Sequence, residues 1–275
     1  MNSTTVTFPR GEVSGRSEVV AAVPVGDRRG LVVAETPFHP LDHTWPDQPA
    51  DRGTIGGLPV LDCVTGAVPA SGGEVLLGAD ITARREDEGW RWLVVHVVAQ
   101  ELPAGSPVEL EVDAGYRAAL SAGHTACHLA ALALNAALAG RWRKETRFDA
   151  LGHPDFDQSA ITSSRISAHA SVDVYRLGKS LRKKGFSAED LDLAETAERV
   201  DDLLRTWVAA DVPVWVDVPG PELTARRTWH CSLPEGEVSI PCGGTHVRST
   251  GELGVVAVTL EPGESELTMR TTVRP

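Results

Sequence analysis

The chain has 275 residues, 42% of them hydrophobic and 23% charged, which is enough for one large or two medium domains with a sizeable core. It holds no run of about 18 apolar residues able to span a bilayer, and its start, MNSTTVTFPRGEVSGR, lacks the apolar stretch of a secretion signal, so a cytoplasmic protein is expected. A formal net charge of −12 argues against general, sequence-blind nucleic-acid binding, with no DNA partner expected, and cysteines at 63, 127, 231 and 242 are too few and too scattered for a disulfide framework.

The first hundred residues are rich in Gly and Pro and in short β-prone runs: EVVAAVPV, RGLVVAET, GEVLLGADITA and WRWLVVHVVAQ. Strands at this spacing, broken by turn signals such as PASGG, predict a small antiparallel β-barrel or sandwich over residues 1–103. ELPAGSP marks the boundary, and the period then changes. DAGYRAALSAGHTACHLAALALNAALAG is almost continuous in helix formers, with Asp113 placed to cap its start and Gly140 to end it. SSRISAHASVDVY predicts a strand. From Ser187 to about Ala210 a second helix is expected, capped by Ser187 and carrying Leu191, Ala194, Val200, Leu203, Leu204 and Val208 inward. VPVWVDV, RTWHCSL, VVAVTL and ELTMRTTV read as strands, so residues 104–275 are expected to form an α+β domain.

Two runs stand against the acidic background. VYRLGKSLRKKGF places Arg176, Lys179, Arg182, Lys183 and Lys184 within nine residues, and RWRKETR follows the long helix. They are either solvated faces or contacts for a polyanion.

Two pairs of side chains carry chemistry. His124 and His128, in HTACH, stand four apart on the long helix, so both imidazoles project from one face and can reach one ion. Alone that spacing is weak, because such pairs arise often by chance. Gly123 beside them costs the helix about 1 kcal/mol relative to Ala, which suggests close approach of another backbone or a ligand. In PCGGTH, Pro241, Gly243 and Gly244 rule out a helix interior, so a turn after the EVSI strand must bring Cys242 and His246 together. A thiolate with three imidazoles suits zinc.

HTACHL followed more than a hundred residues later by CGGTHVRSTGELG resembles the editing domain of alanyl-tRNA synthetases and the stand-alone alanyl-tRNA editing proteins. Upstream, VAETPFHP and QPADRGTI resemble that family's N-terminal segment, and the likeness runs from about residue 30 to 260. It implies a small β-barrel joined to an α+β editing domain, with His124, His128, Cys242 and His246 as zinc ligands. Thr36 and Gln48 are implied to line the amino-acid pocket. For the chemistry the favoured reading is direct coordination of substrate or water by zinc, and the alternative is that zinc organises the pocket while the turn's backbone N–H groups at Gly243 and Gly244 meet the oxyanion. The implied reaction is hydrolysis of the ester joining a wrong amino acid to the 3′ end of tRNA, here in trans, with Arg176, Lys179, Arg182, Lys183 and Lys184 as candidate tRNA contacts. Seryl-tRNA(Ala) is the default substrate. The family's glycine-rich loop is replaced by LDHTWPD, bringing His43, Trp45 and Asp47, which leaves room for a threonyl-tRNA or one carrying an analogue such as fluorothreonine. Four protein ligands form a closed set of the kind that is usually structural. That closed set motivates a second reading, a non-catalytic zinc-stapled binding module, and the acidic net charge motivates a third, a zinc hydrolase of a small amino-acid ester or amide.

Overall fold

The computed structural model describes every residue, Met1–Pro275, and the chain is α+β. It forms two compact units. One comprises Met1–Ala118 with the short segments Val216–Thr228 and Pro241–Thr245, and the other comprises Ala119–Trp215, Trp229–Ile240 and His246–Pro275.

The first unit is built on a curled antiparallel sheet. Ser14–Val25 pairs with Arg28–Val33 through a tight turn at Gly26, whose φ of 60° suits glycine. Arg28–Val33 pairs in turn with Trp90–Val98, and that strand with Asp62–Pro69. On its other edge Ser14–Val25 pairs with Pro107–Val112, followed by Gly53–Ile55 and Leu58–Val60. The last strand runs on into Asp62–Pro69, and Leu61 N donates to Val97 O at 2.8 Å, so the sheet curls back towards its own far side. Val19, Leu31, Phe38, Ile55, Cys63, Val94 and Val98 fill the interior at 0% exposure. Two expectations change here. GEVLLGADITA yields only the two-residue strand Leu76–Leu77 before a 3-10 turn, because Gly78 takes φ 51° and breaks the extended run. PVELEV, not singled out above, is a strand whose burial alternates strictly, the signature of one face on a core.

The long helix, Ala114–Ala137, starts where Asp113 Oδ1 accepts from Tyr116 N at 2.9 Å, as its spacing predicts. Near that start Arg117 Nε donates to Asp51 Oδ1 at 2.7 Å and Arg117 Nη2 to Pro37 O at 2.8 Å, a buried pair that anchors the segment after Thr36. The helix ends at Ala137, and Gly140 falls in a 3-10 turn just beyond.

In the second unit this helix lies on a four-stranded antiparallel sheet ordered Ile161–Ser167, Ala170–Arg176, Glu266–Arg274, Val255–Pro262. SSRISAHASVDVY is thus a hairpin, not one strand: His169 at its tip takes φ 58°. Gly123 is what lets the helix approach. A Cβ there would lie 2.5 Å from Ser167 O and 2.9 Å from Ala170 O, so the close backbone its position implied is this hairpin. The second helix is Leu193–Ala209, capped by Asp192, whose side chain accepts from Glu195 N at 3.0 Å. It does not begin at Ser187, because that residue's N–H is engaged by Arg141 O and Asp190 takes φ 50°. Val200, Leu204 and Trp207 form its buried face, and Asp201 accepts from Val258 N on the adjoining strand. A three-stranded sheet, Val214–Asp217, Thr228–Leu233 and Gly236–Pro241, leads into the turn that carries Cys242 and His246.

Candidate metal centre

Along the long helix almost every side chain from Leu120 to Leu134 is buried, which fixes the direction in which His124 and His128 project. Their ring centroids are 4.9 Å apart, and His246 completes a triangle at 4.4 Å from His124 and 5.3 Å from His128. Trp229 closes one side, 5.0 Å from His128 and 5.8 Å from His246. Cys242 lies in the same turn as His246, and the ligand atoms of His124, His128, Cys242 and His246 all fall within 4.8 Å of one another.

The residues fit a metal ion on their own chemistry. His128 Nε2 is sealed from solvent and has no hydrogen-bond partner, and burial lowers the ring's pKa to about 4, so it is a neutral imidazole with an unused lone pair or N–H in a dry place. Leaving such an atom unpaired costs about 1–3 kcal/mol, and coordination removes that cost. Burial pushes the Cys242 thiol up to about 12, a shift the Gly244 backbone N–H opposes and Asp47 reinforces. A thiol held protonated in this way becomes a ligand only when a cation displaces its proton. Three imidazoles and one sulfur at these separations suit a four-coordinate ion with bonds of about 2.0–2.3 Å.

Supporting contacts orient the donors. His246 Nδ1 is 3.2 Å from Thr125 Oγ1, which also accepts from Val247 N at 3.2 Å. With Nδ1–H donating to that hydroxyl, Nε2 of His246 keeps its lone pair for a metal. Thr125 was not singled out in the sequence, although its place between the two histidines was the available signal. Gln48 meets Thr245 twice: Nε2 donates to Thr245 Oγ1 at 3.0 Å and Oε1 accepts from Thr245 N at 3.1 Å. One side chain thus grips the turn midway between Cys242 and His246.

The remaining predicted residues are distributed unevenly. Thr36 is fully buried and its hydroxyl donates to His96 Nε2 at 2.9 Å; the acceptor role follows because His96 Nδ1 faces the Leu31 carbonyl at 3.1 Å and must carry the proton. Burial keeps His96 neutral, its pKa lowered to about 4. Gly243 is exposed and open, while the Gly244 N–H is directed to the Cys242 sulfur. In the substituted loop Asp42 accepts from Thr44 N and Oγ1, both at 2.8 Å, Trp45 stays 47% exposed, and burial raises Asp47 to about 6. Outside those predicted residues, His153 sits in a loop organised by Asp149, Asp155 caps a short helix, and Asp157 accepts from Tyr175 OH, so these carboxylates are structural. Arg176, Lys179, Arg182, Lys183 and Lys184 are all exposed.

No helix is long and apolar enough to cross a membrane. No family model matches the chain. Among curated proteins it is 27% identical over 228 residues to the alanyl-tRNA editing protein AlaX-M of Pyrococcus horikoshii, covering 82% of this chain and 76% of that protein. It is 27% identical over 263 residues to an alanine–tRNA ligase of Pyrobaculum neutrophilum, and 25% identical over 254 residues to one from a Synechococcus species, covering 88% and 90% of this chain. It spans only 24% of the length of each of these two ligases. Over more than four-fifths of its length, therefore, the chain is similar to an alanyl-tRNA editing protein and to a part of the alanine–tRNA ligases.

Proposed function

We propose that the protein is an aminoacyl-tRNA deacylase acting in trans, which hydrolyses the ester between an amino acid and the tRNA 3′ end, with zinc held by His124, His128, Cys242 and His246. The observation that carries this reading is the grouping of those four donors, three imidazoles and a thiol from two distant motifs, in a chain similar to an alanyl-tRNA editing protein. Seryl-tRNA(Ala) is the leading substrate, and a threonyl- or fluorothreonyl-tRNA is the alternative that the LDHTWPD loop leaves room for.

When bound, zinc supplies Lewis-acid polarisation at the ester. The chain's own groups do the rest. Trp229 and the buried helix face exclude water from His128 Nε2, so the electrostatics around the donors act at low dielectric. Thr125 holds the His246 tautomer, and Gln48 holds Thr245, fixing the turn that presents both of its ligands. The Gly243 backbone N–H, exposed and with no side chain beside it, is the group available to the oxyanion that develops as water attacks the carbonyl carbon. Breaking the C–O bond releases the amino acid and returns a proton to the 3′ oxygen. Thr36, fully buried, spends its hydroxyl on His96 Nε2 and on Phe38 N, so its part here is to fix the segment that follows it and not to meet the amino acid directly.

The test is a deacylation assay on Ser- and Gly-tRNA(Ala) and on Ser-, Thr- and fluorothreonyl-tRNA(Thr), with and without a chelator. Release from one pair that stops with chelator and returns with zinc is expected. Turnover of a minimal amino-acid ester with no preference for any tRNA supports the small-ester hydrolase instead, and no hydrolysis by the metal-loaded protein supports the binding module.

A further inference from the structure

The two basic runs, about thirty residues apart in sequence, adjoin in the second unit. Arg143 N donates to Gly185 O and Ser187 N to Arg141 O, both at 2.9 Å, and Trp142 and Phe186 pair as an isolated bridge. Their rings lie 5.3 Å apart, and Phe186 packs on Phe156 at 4.9 Å, so an aromatic core holds the two segments together from beneath. Residues 141–147 and 176–184 thereby carry nine of the chain's 26 Lys and Arg with a single carboxylate, Glu145, in a protein of net charge −12.

Most of that charge is uncommitted. Arg176, Lys179, Arg182 and Lys183 are exposed and form no ion pair. Arg143 meets the exposed Glu189 at 3.7 Å, a geometry worth little in water, and only Arg147, at 3.5 Å from the buried Asp155, has a partner inside the fold. Gathering like charges in this way opposes folding unless an anion neutralises them. At the end of the 141–147 run stands Phe148, 52% exposed, an aromatic face presented to solvent beside the cations. Cations to follow a phosphate backbone together with an open ring to stack a base are the two elements of single-stranded or splayed RNA recognition.

We propose that this surface docks the sugar–phosphate backbone of an RNA near its 3′ end, with Phe148 stacking on an unpaired base; that the RNA is a tRNA rests on the deacylase reading. The distance agrees. From His128 to the helix end at Ala137 is nine residues, roughly 14 Å at 1.5 Å per residue, and the basic surface begins just beyond. A ligand that touches both the metal-binding histidines and these cations is therefore an extended polyanion, not a small ester.

The test uses the metal-loaded full chain and deacylated tRNA, with binding followed by fluorescence anisotropy across a salt series. In the Lys179→Ala/Arg182→Ala/Lys183→Ala variant, the affinity is expected to fall at least tenfold at low salt and the log–log salt slope to shrink by about 2–3, since each of three lost phosphate contacts removes roughly 0.7–0.9. Phe148→Ala is expected to weaken binding at least fivefold with the slope unchanged, as loss of stacking and not of charge. In deacylation the triple variant raises KM and spares kcat. All four side chains are exposed, so circular dichroism melts should match the parent. Unchanged tRNA affinity and slope in the triple variant overturns the proposal, as does a loss seen only with anionic vesicles. Because deacylated tRNA needs no catalysis, patch-dependent binding without hydrolysis sinks the deacylase reading alone, and hydrolysis with patch-independent binding sinks this inference alone.

Discussion

His124 and His128 come from a helix whose surrounding side chains are almost all buried, whereas Cys242 and His246 come from a turn in which Pro241 and Gly243 are exposed. The helix positions its pair by period and packing: four residues put both rings on one face, and the hairpin Ile161–Arg176 presses the other side through Gly123. The turn is only partly packed, with Thr245 and Val247 buried, and it is tied by hydrogen bonds that link Gln48 to Thr245 and Thr125 to Val247 and His246. Rigid and tethered halves can therefore fail separately, one through global stability and the other through metal affinity.

Gly123→Ala tests the helix side and has the largest expected effect on the fold. The added methyl meets two backbone oxygens that cannot rotate away, so a loss of about 2–3 kcal/mol, or several degrees in Tm, is expected. A variant that melts with the parent would show that the helix is not held against the hairpin in this way. Gln48→Leu tests the turn. It removes both bonds to Thr245, and competition against a chromogenic chelator should show zinc affinity weakened about 10–100-fold with a much smaller change in Tm. If only KM for the charged tRNA changes, Gln48 lines the pocket and does not clamp the turn. Thr125→Val is the mildest change, being nearly isosteric. It leaves the Val247 N–H and His246 Nδ1 without that hydroxyl, and zinc affinity should drop about tenfold, recovered in Thr125→Ser.

What was legible in the sequence follows the same division. His124, His128, Cys242 and His246 could be read because ligand type and local spacing carry the chemistry, and Gly123 because its cost in a helix demands a reason. The strands of the first unit were partly legible from alternation, yet GEVLLGADITA failed because one left-handed glycine outweighs a run of β-prone residues. The start of the second helix was misplaced because Asp192, not Ser187, meets a free backbone N–H, and a cap is decided by which amides the tertiary structure has already used. Gln48 could be found but not its partner, since the pairing spans 197 residues. The meeting of RWRKETR with SLRKKGF is of the same kind: each run was visible alone, and only the fold makes them one surface.

The most direct test of the central claim is the metal content of the purified protein, measured by elemental mass spectrometry alongside deacylation for the parent and for His128→Ala, which takes away the sealed and otherwise unpaired nitrogen. One zinc per chain in the parent, lost together with hydrolysis in a variant that still folds, is the predicted result. A parent without metal, or a folded, metal-free His128→Ala that hydrolyses charged tRNA at the parent's rate, would contradict it.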